Sequence, residues 1–131
     1  MNEIHLTINK QPVIARPGQT ILEAAQAAGI DIPTLCHHPA LSNWGACRLC
    51  LVEVKAMRGL QTACTCPVAE GMEVETETAE TTTLRKFVLE LLFSERNHYC
   101  MYCPTSGDCE LQDLAYRHDL DHWPFELSLI H

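Results

Sequence analysis

The sequence has few basic residues: nine Lys and Arg stand against seventeen Asp and Glu, which gives a formal net charge of −8 over 131 residues. Nucleic-acid binding relies on an excess of basic side chains that contact phosphates, so this balance argues against a nucleic-acid partner. An acidic surface fits a soluble protein, or one that docks on a basic patch of another protein. Aromatic residues are also few (two Trp, three Tyr and three Phe), so Leu, Ile, Val and Ala must form most of the core.

Segments that would place the chain in a membrane or export it are also lacking. No apolar run approaches the roughly 20 residues that a membrane-spanning helix needs. The first eight residues have neither the basic nor the apolar region of a signal peptide. Nor is there a glycine-rich dinucleotide fingerprint or a recognisable flavin site. We therefore expect a cytoplasmic protein without membrane insertion that does not oxidise NADH by itself.

Cysteine, by contrast, is abundant, with eight residues. In a reducing compartment a cysteine-rich chain binds metal more often than it forms disulfides. The spacing of the cysteines along the chain divides them into two groups, with Cys66 in neither. The first group is Cys36, Cys47, Cys50 and Cys64; the second is His98, Cys100, Cys103 and Cys109.

The order of elements around the first group predicts a β-grasp domain of the α+β class. Alternating apolar residues predict a hairpin over residues 4–16, with its turn at residues 9–12. A capping box at Thr20 and Glu23 begins a helix that ends at Gly29. Further strands are expected over residues 51–54, 60–64 and 72–76. Residues 1–79 would form this domain.

The second group lies in a segment where the apolar residues recur with the period of a helix and not of a strand. Apolar residues at helical spacing predict a helix that ends near Asn97 and buries the stripe Leu84, Phe87, Val88, Leu91 and Leu92. The cysteine loop and a shorter helix follow, so residues 80–118 would form a helical cluster-binding segment. Residues 119–131 would be a tail whose apolar residues, among them Trp123 and Phe125, either dock on a partner or fold back on the chain.

Four cysteines separated by 10, 2 and 13 residues can hold a metal centre, because the Cys-x-x-Cys turn brings two thiolates to one side. Gly45 and Ala46 would let backbone amides approach the sulfurs and stabilise a more negative, reduced state. A structural zinc site uses the same unit, but zinc does not call for a β-grasp scaffold with three ligands in one long loop. A Rieske centre needs two histidine ligands, and no second Cys/His pair follows Cys36-His37-His38.

Plant-type ferredoxins separate their first two ligands by four residues, so a gap of ten is a departure from that class. The stretches at residues 32–36, 45–50 and 63–72 resemble the N-terminal domain of the large cluster subunit of complex I, of iron-only hydrogenases and of the small diaphorase subunit of NAD-reducing hydrogenases. The resemblance implies a [2Fe–2S] cluster on Cys36, Cys47, Cys50 and Cys64. In a strand, Cys66 would face the same side as Cys64 and is the alternative fourth ligand.

In the second group, three thiolates without a fourth nearby cysteine require another ligand, and His98 is the adjacent candidate. The same family has His and three Cys around a [4Fe–4S] cluster, with Cys-x2-Cys-x5-Cys followed by Glu-Leu-Gln. Complex I and iron-only hydrogenases carry the histidine four residues before the first cysteine, where this chain has Arg96. The hydrogenase diaphorase subunit, with Asn-His-x-Cys, is more similar. A zinc knuckle is the alternative.

The resemblance implies an electron-transfer subunit that relays electrons between a flavin/NAD-binding subunit and a catalytic subunit of a hydrogenase or formate dehydrogenase. We expect no catalytic residue in this chain, which would not be an autonomous enzyme. Two other classes remain open from the residues alone. The chain could be a free-standing ferredoxin-like carrier or a zinc-stabilised interaction module.

Overall fold

A computed structural model of the chain describes residues 2–96, 98–121 and 125. Five strands form one mixed sheet in the order β2-β1-β5-β3-β4. The strands are β1 (Ile4–Ile8), β2 (Gln11–Ala15), β3 (Leu51–Val54), β4 (Leu60–Thr62) and β5 (Glu73–Glu75), and the helices are α1 (Ile21–Ala27), α2 (Ala79–Ser94) and α3 (Glu110–Arg117). A single 3-10 turn covers Cys100–Tyr102. The predicted α+β, β-grasp architecture is confirmed. No helix within the described ranges is long and apolar enough to cross a membrane.

The first hairpin turns more tightly than the sequence predicts. Asn9 and Lys10 both have positive φ, at 53° and 64°, so they form the two-residue turn whose twist matches the paired strands. Gln11 and Pro12 therefore belong to β2 and pair with β1. Proline is tolerated here because β2 is an edge strand, where a residue without an N–H group need not interrupt the hydrogen bonds between strands.

The helix α1 begins where the sequence predicts and lies over the buried side of the sheet. Thr20 Oγ1 accepts a hydrogen bond from the Glu23 amide at 3.3 Å, and the Glu23 carboxylate accepts one from the Thr20 amide at 2.8 Å. Ile21 and Leu22 are fully buried in the main core with the inward residues of the strands. The backbone amide of Leu22 also binds the Ala63 carbonyl, which fixes α1 against the segment that follows β4.

The strand β4 ends two residues earlier than predicted. After Thr62 the chain turns, because the amides of Thr65 and Cys66 both donate to the Thr62 carbonyl. Cys64 and Cys66 therefore do not share an extended strand, and the strand argument for placing them on one side does not apply.

The buried face of α2 also differs from the prediction. Its buried residues are Thr81, Arg85 and Leu89, whereas Phe87 and Leu91 of the predicted apolar stripe are 45% and 47% exposed. The other three residues of the stripe, Leu84, Val88 and Leu92, are partly buried, and Val88 packs against the core around Leu89. The predicted face is therefore met only in part, because the helix packs on the cysteine loop, which presents backbone carbonyls as well as apolar groups. The helix ends at Ser94, and Asn97 lies outside the described residues.

A second, smaller core joins the two parts of the chain. It consists of Leu49 from the cysteine loop, Leu89 from α2 and Leu114 from α3, with the partly buried Cys47 and Leu111 against it. An ion pair from Arg117 to Asp31 lies on the surface nearby. The helical segment thus packs directly against the loop that carries the first group of cysteines. Of the predicted tail, the structure describes only residues 119–121 and Phe125. The Phe125 ring contacts the Phe87 ring edge-on, with the ring centroids 6.4 Å apart.

Candidate metal centre

Strand pairing brings together the second half of the first cysteine group. Cys50 directly precedes β3, and Cys64 follows β4 by two residues. The two strands pair antiparallel with Leu51 opposite Thr62, and the Ala63 amide donates to the Cys50 carbonyl at 3.0 Å. Both thiols are consequently buried, each 1% exposed, at the same end of the β3–β4 pair.

The long loop between α1 and β3 supplies the other two cysteines. The Cys47 amide donates to Cys36 Sγ at 3.4 Å. Burial raises the pKa of Cys36, but the amide and thiol of Cys47 and the Ala46 amide together bring that pKa below its ordinary value. The expectation that amides next to Gly45 approach a sulfur therefore agrees with the geometry. A negatively charged sulfur is stabilised at this position.

The other three thiols of the group all act on the Cys64 thiol. Burial raises the pKa of Cys64 to about 12, together with a hydrogen bond to Cys50 and the negative charges of Cys50, Cys36 and Cys47. Neighbouring thiolates repel one another, so four of them need a positive centre if all are to be ionised at the same time. Iron supplies that positive charge. The donor set thus fits a metal centre of several sulfurs.

Cys66 lies apart from this site. Only burial raises the pKa of its thiol, with no contribution from another cysteine. Its sulfur contacts the Pro67 carbonyl at 3.7 Å, and it lines a cavity with Val54, Met57 and Val68. Cys50, Cys36 and Cys47 all act on the Cys64 thiol, whereas no cysteine acts on Cys66, although Cys66 shares the main core with Cys50 and Cys64.

Within the described part of the chain, no group of three His, Cys, Asp or Glu side chains is arranged to hold a single metal ion.

The second group lies in the loop between α2 and α3. Cys100 begins the 3-10 turn, Cys103 is exposed just after it, and Cys109 occupies the cap position of α3 without a side-chain capping bond. Hydrogen bonds from the hydroxyl and amide of Thr105 lower the pKa of Cys103, which favours the thiolate that binds metal.

His98 is half-buried, and one of its ring nitrogens lacks a partner. Its Nε2 atom is shielded from solvent and has no hydrogen-bond partner among the described residues. Its ring contacts the Phe93 ring at a tilt of 57°, with the ring centroids 4.8 Å apart. A buried polar atom without a partner costs free energy, so a ligand for Nε2 is expected. An iron ion meets that requirement.

Sequence reasoning gave no role to two residues that shape these loops. Gln112 accepts a hydrogen bond from the Gly107 amide at 2.7 Å and donates to Ser106 Oγ at 3.2 Å, which ties α3 to the second loop. Arg85 reaches from α2 into the first loop. Gln112 is part of the recognised Cys-Glu-Leu-Gln stretch, which was a usable signal. Nothing in the local sequence distinguishes Arg85 from a surface arginine.

Comparison with known families decides the nature of the first half. Residues 1–79 match the family described as the 2Fe-2S iron–sulfur cluster binding domain. The chain belongs to this family. Residues 85–123 of this 2Fe-2S family member match the NADH-ubiquinone oxidoreductase-G iron-sulfur binding region. Together the two matches confirm the predicted cofactors, one [2Fe–2S] and one [4Fe–4S] cluster.

Individual relatives of this 2Fe-2S protein are larger. It is 39% identical over 131 residues to the NADP-reducing hydrogenase subunit HndD of Solidesulfovibrio fructosivorans, covering 96% of this chain and 22% of that protein. It is 35% identical over 123 residues to the mitochondrial NADH-ubiquinone oxidoreductase 78 kDa subunit of Candida albicans, covering 94% of this chain and 17% of that protein. The chain therefore spans less than a quarter of these curated relatives.

A solved structure agrees in fold. A chain in the crystal structure of an NAD+-reducing [NiFe]-hydrogenase in the H2-reduced state superposes with a TM-score of 0.88 at 43% identity. The match covers 94% of this 2Fe-2S protein and 52% of the hydrogenase chain. The resemblance to hydrogenase and complex I subunits that the sequence predicts is confirmed.

Proposed function

We propose that this chain is an electron-transfer subunit of a multi-subunit NAD(P)-linked oxidoreductase. It would pass electrons between a flavin- and nucleotide-binding partner and a catalytic partner of the hydrogenase or formate dehydrogenase type. The observation that carries the proposal is the shared core of Leu49, Leu89 and Leu114, which packs the two cluster-binding parts on each other. Electron transfer between two clusters requires a short, fixed separation, and packing of the two parts on each other supports such a separation.

We propose two sets of cluster ligands. For the [2Fe–2S] cluster we take Cys36, Cys47, Cys50 and Cys64. For the [4Fe–4S] cluster we take His98, Cys100, Cys103 and Cys109. Support for the first set is the mutual interaction of the four thiols, and support for His98 is its buried Nε2 atom. The clusters supply one-electron redox chemistry, and the chain contributes the ligands, the amides beside the sulfurs and the shielding from water.

Exposed apolar side chains favour a subunit over a free carrier. Trp44 and Leu41, in the first cysteine loop, are 80% and 69% exposed, and Met101 and Tyr102, in the second, are 91% and 84% exposed. Such side chains concentrated around two redox loops are typical of surfaces that a partner covers. None of the eight cysteines, all of which lie in the described ranges, forms a disulfide, which agrees with a reducing, cytoplasmic location.

Metal analysis and redox titration test the proposal. Anaerobically purified protein should contain about six irons per chain and show two paramagnetic signals on reduction, one from each cluster. NADH or NADPH should reduce both clusters in the complex purified from the native source, but neither cluster in the isolated chain. Stoichiometric zinc with little iron would contradict the cluster assignment. A chain that purifies from its source without any partner would favour the free carrier.

A further inference from the structure

Arg85 is an arginine almost completely removed from solvent. It lies in the middle of α2 and is 2% exposed, one helical turn from the buried Thr81 and Leu89. Arginine is seldom buried unless its charge and its donors are satisfied. Its position therefore needs a physical explanation.

The guanidinium binds the backbone on both sides of a candidate cluster ligand. Nε donates to the Leu49 carbonyl at 2.9 Å, and Nη2 donates to the Leu51 carbonyl at 2.7 Å. Cys50 stands between these two residues. Nη2 also donates to the Thr76 carbonyl at 2.7 Å, at the end of the β5 region. The rigid planar guanidinium reaches these three carbonyls from two separate nitrogens, whereas the three donors of a lysine ammonium all lie on one atom.

The loop that Arg85 binds has an unfavourable backbone conformation. Arg48, in the middle of the Cys-x-x-Cys turn, has a φ of 60°, in the left-handed region that residues other than glycine rarely adopt. Conformations of this kind persist only where surrounding contacts determine them. The bonds from Arg85 to Leu49 and Leu51 fix the two peptide groups next to that turn.

Other residues of the chain neutralise the positive charge of Arg85 only in part. No carboxylate in the described ranges lies within ion-pair distance of the guanidinium. Burial lowers its pKa, while the charges of Glu77 and Cys50 act in the opposite direction. Arginine remains protonated under such conditions. A buried cation with carbonyl partners on both sides of Cys50 is suited to a negatively charged group, and a cluster held by thiolates is one.

We propose that Arg85 is a positioning residue of the [2Fe–2S] site, which fixes the peptide groups around Cys50 and raises the reduction potential of the cluster through its buried positive charge. Reduction adds one electron to the cluster without making or breaking a bond. The added negative charge is stabilised by a nearby cation in a poorly solvated site. The inference rests on the proposed function, since it requires the cluster to be present.

The test compares three variants of the full chain, purified anaerobically with both clusters. Arg85→Gln removes the charge but keeps a donor, Arg85→Lys keeps the charge but loses the fork, and Lys86→Gln is the matched control. Lys86 follows on the same helix, and its ammonium donates to the Asp119 carbonyl at 3.4 Å in an exposed position. The readouts are the midpoint potential of the [2Fe–2S] paramagnetic signal and the rate at which a chelator removes that cluster.

We expect Arg85→Gln to lower the [2Fe–2S] potential, Arg85→Lys to hold it closer to the wild-type value, and Lys86→Gln to leave it unchanged because solvent screens that charge. An unchanged potential in Arg85→Gln at full cluster content would overturn the inference. If Arg85→Gln does not fold, Arg85→Lys decides: severalfold faster loss of the cluster supports the inference, and wild-type retention contradicts it. A wild-type chain without a [2Fe–2S] signal would mean that the proposed function, not this inference, has failed.

Discussion

Cys64 and Cys66 stand two residues apart, but their surroundings differ in kind. Cys64 interacts with three other cysteines, whereas only burial shifts the pKa of Cys66. Cys64→Ser should therefore abolish the [2Fe–2S] paramagnetic signal, and Cys66→Ser, its matched control, should leave the signal in place. The spectra of the two reduced variants check this directly. The reverse result would move the fourth ligand by two residues.

Among the proposed ligands, His98 is the one whose effect on the reduction potential can be argued from charge. Imidazole is neutral where thiolate is negative, so His98→Cys should keep a four-iron cluster at a lower potential. His98→Ala should leave one iron without a protein ligand and make that cluster labile, with the [2Fe–2S] signal unchanged. A redox titration of both variants measures these effects.

A full [4Fe–4S] cluster in His98→Ala at the wild-type potential would point to another ligand for the second cluster. His118 is one candidate, and only its Nε2 would be available, because its Nδ1 already lies 2.9 Å from the Leu114 carbonyl of its own helix. His122 lies outside the described residues.

At the scale of the loop elements, Gly45 shows why a small residue precedes the Cys-x-x-Cys turn. Its φ is +67°, and a Cβ atom added there would lie 3.1 Å from Thr65 Cγ2. Gly18 has a similar φ of +87° but open space around it. Gly18→Ala should lower the free energy of unfolding by about 1–2 kcal/mol from the backbone term alone.

Gly45→Ala should lower the free energy of unfolding further, because Thr65 would also have to move, and should speed the loss of the first cluster. Urea titration of both variants, followed by far-ultraviolet circular dichroism, gives the comparison. Equal losses would show that the loop accommodates the methyl group without cost.

The helix α2 illustrates how an element can exist as predicted and still present another face. Periodicity located the helix, but the burial of Arg85 in place of Phe87 depends on carbonyls that the cysteine loop provides from 34 and 36 residues earlier in the chain. A hydrophobicity pattern carries no information about such distant acceptors. The face of this helix could not have been predicted from its own residues.

At the scale of the whole molecule, the small core under the first loop should couple the stability of the two segments. Leu89 is fully buried there, whereas Leu91 of the same helix is 47% exposed. Leu89→Ala should lower the free energy of unfolding by about 2–5 kcal/mol and accelerate loss of both clusters. Leu91→Ala, the matched change, should stay within about 0.5 kcal/mol of wild type. Loss of only the [4Fe–4S] cluster in Leu89→Ala would show that the segments are independent.

The sequence by itself determined the class of fold, the capping box of α1 and the choice of two metal-binding groups, because these depend on local patterns and spacing. The predicted division at residues 79 and 118, and the ligand sets, stay predictions. Tertiary structure decided which thiols meet. β4 ends at Thr62, and its pairing with β3 brings Cys64 to Cys50 while the following turn carries Cys66 away. It also decided the role of Arg85, since a buried charge is stable only where distant parts of the chain supply its partners.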